Sequence, residues 1–199
     1  MGRKNVQKGR YKDQLIKDKY VVKLLVYFQM NGICKFSMSE LANDFQISKT
    51  TLYNHFESKE EMVERALDYK LGVIGEYESV LENITLSYTE RYRKSMLFFC
   101  VQSFDVSSVL LKEIKDEYPM LWIKVQHFQK NVFDNLKSYY RIGKEIGIFS
   151  EDANPFLLSL SDQQFFELLS QKNIIDKIEL DIISVFNHHY KMRFNGILK

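Results

Sequence analysis

Polar side chains cluster between residues 48 and 59 at a spacing that suits contact with a polyanion. Those that would project outward are Lys49, Thr50, Tyr53 and Asn54. Leu52 and Phe56 lie four residues apart, so in a helix they share one face and would point toward a core. Hydroxyl and amide groups can bond phosphates or base edges, and a lysine can bind a phosphate as a point charge. The pattern therefore predicts a short helix whose outer face binds nucleic acid.

The sequence offers little for catalysis. Its histidines are His55, His127, His188 and His189. The last two are adjacent, so they lack the i, i+4 spacing of a metal-binding pair on a helix. Cys34 and Cys100 form neither a disulfide framework nor a zinc-type cluster, and the sequence has no Gly-rich phosphate loop or nucleophile elbow. We expect no metal, no cofactor and no enzymatic activity, and a helical enzyme is the least favoured alternative.

Basic residues are concentrated at the N-terminal end of the chain. The net charge is only +2, but the lysines and arginines of the first 26 residues are opposed by Asp13 and Asp18 alone. Such an arm suits a polyanion because lysine and arginine displace counterions from phosphates, although a solvated tail is an equal alternative. No apolar run reaches the roughly 18–20 residues that span a bilayer, and no apolar stretch follows the charged N-terminus. We expect a cytoplasmic protein with no membrane partner.

Apolar residues at helical spacing predict three short helices in the first part of the chain. The first covers residues 18–31 and stops at Gly32, where glycine suits a helix C-terminus. Ser37 and Glu40 form a capping box that starts the second helix, and Ser48 caps the third. Two helices joined by so short a turn make the unit that places a helix in the DNA major groove. We predict a helix-turn-helix at residues 37–56.

The rest of the chain is also predicted to be helical. Ser58 and Glu61 start a long fourth helix that runs toward Glu82. Further helices are predicted near residues 87–104, 106–114, 119–144, 155–171 and 176–193, with start signals at Asn154-Pro155 and Asp176. The fold class is therefore all-α.

Three blocks of the sequence resemble the TetR-type bacterial transcriptional regulators. They are Phe28-Gln-Met-Asn-Gly32, Ser37-Met-Ser-Glu-Leu-Ala42 and Ile47-Ser-Lys-Thr-Thr-Leu-Tyr-Asn-His-Phe-Glu-Ser-Lys-Glu60. The third block is specific, because its Ser-Lys, Leu-Tyr, His-Phe and Ser-Lys-Glu groups follow in fixed order. The turn departs from the family pattern, since Phe45-Gln46 stand where a small residue and glycine are usual. A left-handed Gln46 would cost about 1 kcal/mol, which a packed domain can sustain. This departure from the family pattern leaves the docking geometry on DNA open.

The resemblance implies which residues contact DNA. They are Ser37, Met38, Ser48, Lys49, Thr50, Thr51, Tyr53, Asn54, His55 and Lys59. Ser37 and Met38 would present a helix N-terminus to a phosphate, and Lys59 would bind a phosphate at the start of the fourth helix. Tyr53 as a core aromatic and His55 as a packing residue are the alternatives.

The resemblance also implies a domain division at residues 57/58. Residues 1–57 would be a helix-turn-helix DNA-binding domain with a basic arm, joined by a long helix to a helical effector-binding and dimerisation domain at 58–199. Candidate effector residues are Phe99, Gln102, Phe104, Trp122, Gln126 and His127. Candidate dimer residues are Phe156, Leu160, Leu168, Ile178, Ile182, Val185 and Phe186. Both sets have an alternative as ordinary core.

The predicted function is a ligand-responsive transcriptional regulator, favoured as a repressor, that binds a palindromic double-stranded DNA operator as a homodimer. Its effector is expected to be small and apolar or aromatic. The alternative is a DNA-binding adaptor whose C-terminal domain recognises a protein. An enclosed cavity within residues 83–175 would favour the sensor, and a filled core would favour the adaptor. The operator, the effector and the choice of repression or activation are open at this stage.

Overall fold

The computed structural model describes residues 19–169 and 179–196 of the 199. The helices are α1 (residues 19–31), α2 (Met38–Asp44), α3 (Lys49–His55), α4 (Lys59–Gly75), α5 (Tyr77–Leu81), α6 (Tyr88–Phe104), α7 (Ser108–Glu117), α8 (Pro119–Glu145), α9 (Pro155–Leu169) and α10 (Ile182–Asn195). No strand occurs in these two ranges, so the predicted all-α class is confirmed. The basic arm up to residue 18, Asp176 and Ile178 lie outside the described residues.

The described chain forms two compact units. The first contains the residues up to Leu71 together with Val109–Trp122, and the second contains Gly72–Ser108 together with the residues from Ile123 onward. Residues 109–122 join the N-terminal helices although 37 residues separate them from Leu71 in the sequence. The 57/58 boundary stays a prediction about function, because these units are defined by packing alone.

The first unit is built on apolar side chains contributed by each of its short helices. Leu24, Phe28, Leu41, Leu52 and Phe56 are each at most 1% exposed. Burial of one such side chain contributes about 1.5–3 kcal/mol. Leu52 and Phe56, the predicted inward face of the third helix, are therefore part of the core of this unit.

Several helix starts are as predicted. The Ser37 hydroxyl accepts the Glu40 amide at 3.1 Å, and the Glu40 carboxylate accepts the Ser37 amide at 2.8 Å. Asn154 Oδ1 accepts two amides of the first turn of α9, at 3.0 and 3.1 Å. At Ser58, the hydroxyl accepts the Glu61 amide at 3.0 Å, and the Glu61 carboxylate accepts the Glu57 amide at 2.6 Å.

Two predicted helix boundaries were wrong. The fourth helix does not run to Glu82 but is interrupted at Glu76, after two glycines in its last turn have reduced its helix propensity. The last helix starts at Ile182, where Asp181 accepts the Ile183 and Ser184 amides at 2.9 Å each. Glu179, within the predicted helix, has a left-handed φ of 54°.

The core of the second unit is rich in tyrosine. Tyr77, Tyr92 and Tyr140 are at most 1% exposed. Tyr88 and Tyr139 stack with ring centroids 4.5 Å apart, and each hydroxyl donates to the other residue's carbonyl oxygen, at 2.6 and 2.8 Å. This reciprocal pair joins α6 to α8.

A buried polar cluster lies in the same unit. Asp162 on α9 is fully buried, accepts the Tyr140 hydroxyl at 2.6 Å and pairs with the Arg193 guanidinium. Nε2 of His189 lies 3.2 Å from the same carboxylate, and its ring stacks on Phe165 at 3.7 Å. A buried carboxylate needs such partners to offset its lost hydration, so the cluster holds α8, α9 and α10 together.

Candidate nucleic-acid interface

The outer face of α3 brings together four of the predicted DNA-contacting side chains. Lys49, Thr50, Tyr53 and Asn54 are all exposed, Tyr53 by 54%. Exposure of a large aromatic ring beside fully buried Leu52 excludes the alternative that Tyr53 is a core residue. The helix therefore presents a cation, two hydroxyls and an amide to solvent, which is the donor and acceptor set needed at phosphates and base edges.

Ser48 and Thr51 are engaged with each other at the start of α3. The Ser48 hydroxyl oxygen accepts the Thr51 amide at 3.0 Å and lies 2.8 Å from the Thr51 hydroxyl. These bonds satisfy the helix N-terminus from within. The predicted DNA contacts of both hydroxyls stay predictions, and they depend on the bonding capacity that the cap leaves free.

The α2 N-terminus carries its own anion. The Ser37 amide, and then the Ser37 hydroxyl, hold the pKa of the Glu40 carboxyl below its ordinary value. Glu40 is thus a carboxylate at neutral pH, at the position where a phosphate was predicted to bind. Ser37 and Met38 are half-buried. A phosphate there must compete with the Glu40 carboxylate, and sequence reasoning missed this competition.

His55 packs against α1. Its ring is half-buried, and the centroid lies 5.2 Å from that of Tyr20. Tyr20 in turn stacks on Phe45, with centroids 6.1 Å apart. His55 therefore has the packed surroundings that the alternative describes, and its contact with DNA stays a prediction.

Lys59 has a structural partner. Its Nζ donates to the Phe36 carbonyl oxygen at 2.6 Å and lies 4.7 Å from the centroid of the Phe36 ring. An ammonium has three protons, so two stay available for a phosphate. The side chain therefore anchors the loop before α2 and can still present positive charge to solvent.

In the turn between α2 and α3, Gln46 adopts a left-handed backbone conformation, which glycine, the family's usual residue there, adopts without strain. Gln46 has φ of 56°, and Phe45 is 4% exposed in the core. The Gln46 and Ile47 amides donate to the Asn43 and Ala42 carbonyl oxygens at 3.1 and 3.0 Å. Phe45 thus supplies apolar area to the core, and Gln46 carries a strain of about 1–2 kcal/mol.

Two of the predicted effector residues, Phe99 and Phe104, line a small space among the described residues. This space of about 30 Å³ lies between α6 and α9 and is also lined by Cys100, Ser103, Phe166 and Leu169. Gln102 is half-buried on α6, Trp122 belongs to the first unit, and Gln126 and His127 are exposed on α8. A space of this size holds about one water molecule. It cannot hold an effector unless its walls move.

The predicted dimer residues divide between surface and core. Phe156 and Leu168 are 48% and 41% exposed, and Leu160 and Ile182 are half-buried. Val185 and Phe186 are 8% and 0% exposed within a single chain. The prediction is corrected for these two side chains, which belong to the chain's own core. Further exposed apolar side chains on α9 and α10 are Leu157, Ile183 and Met192.

Other chemistry finds little support in the part of the chain that the structure describes. No group of three or more His, Cys, Asp or Glu side chains there could hold a metal ion. No single helix there is long and apolar enough to cross a bilayer, although α6 and α7, a bent pair, reach that length and composition when counted together.

Comparison with known proteins finds a family match within the N-terminal helices. Residues 26–66 match the family model of bacterial regulatory proteins, tetR family. Over 97 residues the chain is 30% identical to YvaF of Bacillus subtilis (strain 168), an uncharacterized HTH-type transcriptional regulator. This match covers 48% of the chain and 50% of YvaF, so the chain spans about half the length of the curated relative that it matches.

Solved structures have a similar fold over most of the chain's length. PfmR, a TetR family transcriptional regulator from Thermus thermophilus, is similar with a TM-score of 0.67 and 21% identity, over 88% of this chain and 96% of that one. FadR from Bacillus subtilis, solved in complex with stearoyl-CoA, is similar with a TM-score of 0.64 and 17% identity, over 89% and 97%. The N-terminal motif thus matches the tetR family model, and the fold is similar to that of TetR-type regulators.

Proposed function

We propose that the chain is a transcriptional regulator that binds a palindromic DNA operator as a homodimer and represses transcription until a small effector releases it. The observation that carries the proposal is the outer face of α3, where Lys49, Thr50, Tyr53 and Asn54 are exposed together. These polar groups are held in place by fully buried Leu52 and Phe56. A rigid element with this polar face is suited to a major groove.

The homodimer is supported by apolar side chains exposed on α9 and α10. They are Phe156, Leu157, Leu168, Ile183 and Met192, each 41–59% exposed. Two copies of these helices would form a four-helix interface around a two-fold axis. Such an axis pairs the two α3 helices, so the half-sites would lie about one helical turn of DNA, or a small multiple of it, apart.

The effector is proposed to be a molecule with an apolar part. FadR, whose fold is similar, was solved with stearoyl-CoA, an apolar chain on a polar carrier. The space beside Phe99 and Phe104 is apolar but holds only about 30 Å³. An effector would therefore bind a more open conformation and shift the protein toward it, with leverage limited to its difference in affinity for the two states.

A protein-binding adaptor is the second candidate, and the same small space favours it. An adaptor needs no cavity larger than the space of about 30 Å³ between α6 and α9, and the exposed apolar residues of α9 and α10 could bind another protein. Calorimetric titration with acyl-CoA esters of increasing chain length separates the two candidates. Saturable binding that weakens operator affinity supports the sensor, and the absence of binding across the series supports the adaptor.

DNA binding is tested by fluorescence anisotropy on a duplex that the protein itself selects from a random-sequence library. Lys49→Ala and Tyr53→Ala should each weaken binding by about tenfold or more, since one lost contact costs about 1–3 kcal/mol. Lys94→Ala and Tyr69→Ala remove the same side-chain types from exposed positions on α6 and α4 and serve as matched controls. If all four variants bound as tightly as the parent, α3 would not be the recognition helix.

A further inference from the structure

A carboxylate from α7 covers the turn that joins α1 to α2. The Ile33 amide donates to Glu113 Oε2 at 2.5 Å, across 80 residues of sequence. Gly32 has φ of 74°, and a Cβ atom placed there would lie 2.6 Å from the same oxygen. Burial, and then the Glu113 carboxylate, raise the pKa of the neighbouring Cys34 thiol. Gly32, Ile33 and Cys34, three consecutive residues of the turn, thus lie close to the Glu113 side chain.

Glu113 is held firmly because the apolar side of α7 is buried. Leu110 and Ile114 are 5% and 2% exposed, and Leu121 at the start of α8 is 3% exposed. All three belong to the segment Val109–Trp122 of the first unit. The chain enters this segment from Ser108 and leaves it to Ile123, both of which belong to the second unit. The segment is therefore part of the first unit by packing and covalently continuous with the second at both ends.

The turn held by Glu113 leads directly to the elements that face DNA. Ile33 is 2% exposed, and four residues later Ser37 caps α2. Between them, Phe36 supplies the carbonyl oxygen that receives the Lys59 ammonium. A shift of the Ile33 backbone would therefore move both the start of α2 and the Lys59 anchor.

We infer that Glu113 is a positioning residue: by holding the backbone of the α1–α2 turn, it makes the DNA affinity of the first unit depend on the placement of α7. The inference rests on the proposed DNA-binding function and deepens it by naming a point of regulation. Glu113 itself is not assigned a contact with DNA. Its effect on DNA passes through the amide of Ile33 and the space left by Gly32.

The DNA arm of the test compares Glu113→Ala with Asp116→Ala, measured by anisotropy on the selected duplex. Asp116 is exposed on the same helix, so its removal causes the same change of charge without touching the turn. Glu113→Ala should weaken binding about tenfold, because a hydrogen bond to a charged group contributes about one factor of ten or more. Asp116→Ala should bind as tightly as the parent or slightly more tightly. Glu113→Gln keeps an acceptor oxygen and should recover part of the loss.

The second arm needs no DNA and uses a double-mutant cycle with Gly32→Ala. The added methyl group meets the carboxylate, so its cost in denaturant midpoint should be smaller when Glu113 is already alanine. The left-handed φ of Gly32 leaves a residual cost in both backgrounds. All affinities are measured well below each variant's unfolding temperature. A loss of DNA affinity then reports a displaced turn and not an unfolded protein.

The outcomes distinguish this inference from the proposed function. If the parent binds no duplex, the proposed function fails and the positioning role fails with it. If the parent binds DNA but Glu113→Ala binds equally well, or weakens no more than Asp116→Ala, only the positioning role is overturned. An additive cycle would also overturn it, because the carboxylate would then not be coupled to the turn.

Discussion

Replacement of Asp162 by alanine should destabilise the second unit more than any single change around it. Asp162 is fully buried and is paired with Arg193, hydrogen-bonded to Tyr140 and close to His189. Burial, and then the Asp162 charge, raises the pKa of Tyr140, so its hydroxyl stays a donor at any ordinary pH. Without the carboxylate, a guanidinium and a phenol are left buried without their acceptor.

The magnitude follows from what each variant leaves behind. Removing one partner of a buried ion pair costs about 3–5 kcal/mol, because the other charge is left uncompensated. Tyr140→Phe removes one hydrogen bond and leaves the ion pair in place, so it should cost about 1 kcal/mol. Asp152→Ala, at an exposed loop position, controls for loss of an aspartate and should change stability by less than about 0.5 kcal/mol.

Urea unfolding followed by two signals checks this prediction. Near-UV circular dichroism is dominated by rigidly packed aromatic rings, and the buried tyrosines Tyr77, Tyr92, Tyr139 and Tyr140 all belong to the second unit. The fluorescence of Trp122, the chain's single tryptophan, reports the first unit. We expect Asp162→Ala to lower the circular dichroism midpoint well below that of Tyr140→Phe. If the two variants were equally stable, the cluster would not be held by its carboxylate and the reasoning would be refuted.

Three further changes test the first unit. Gln46→Gly should raise the free energy of unfolding by about 0.5–1 kcal/mol in the Trp fluorescence assay. Glycine relieves a left-handed strain of about 1–2 kcal/mol, which exceeds the conformational entropy that it adds to the unfolded chain. A lower stability of the variant would mean that the strain is absent. Burial, and then the Glu113 carboxylate, raise the pKa of the Cys34 thiol, so iodoacetamide at mildly alkaline pH should modify Cys34 more slowly in the folded than in the urea-unfolded chain. Glu113→Gln should speed the modification of the folded protein. Equal rates for the parent and the variant, measured by mass spectrometry, would contradict this. Lys59→Ala should cost about 1 kcal/mol of stability, because the hydrogen bond to the Phe36 carbonyl oxygen is lost. It should also reduce the slope of log affinity for DNA against log salt concentration by about 0.9 per protomer. An unchanged slope would restrict Lys59 to the structural role.

Local signals in the sequence predicted the parts of the fold that depend on nearby residues. The Ser37 and Glu40 bonds form within four residues, so spacing alone identifies them. The burial of Leu52 and Phe56 follows from helical periodicity in the same way. A left-handed Gln46 was raised as a possibility because the family usually has glycine there, and the structure has this conformation.

Features that depend on distant residues could not be predicted. Nothing near Ile33 in the sequence indicates that Glu113 lies over it. Periodicity showed that Val185 and Phe186 are on an apolar face, but a face that packs on its own core has the same period as one that packs on a partner. The aromatic residues Phe99 and Trp122 suggested one pocket, and the structure puts them in different units because residues 109–122 pack with the N-terminal helices.

Selection of duplexes from a random-sequence library tests the central claim most directly. We expect the parent to enrich a palindrome whose half-sites lie about one helical turn, or a small multiple of it, apart. We also expect the enrichment to be lost in Tyr53→Ala, whose ring is exposed on α3, and kept in Tyr69→Ala. Enrichment of no sequence by the folded parent, or of the same palindrome by Tyr53→Ala with undiminished affinity, would contradict the assignment of α3 as the helix that binds DNA.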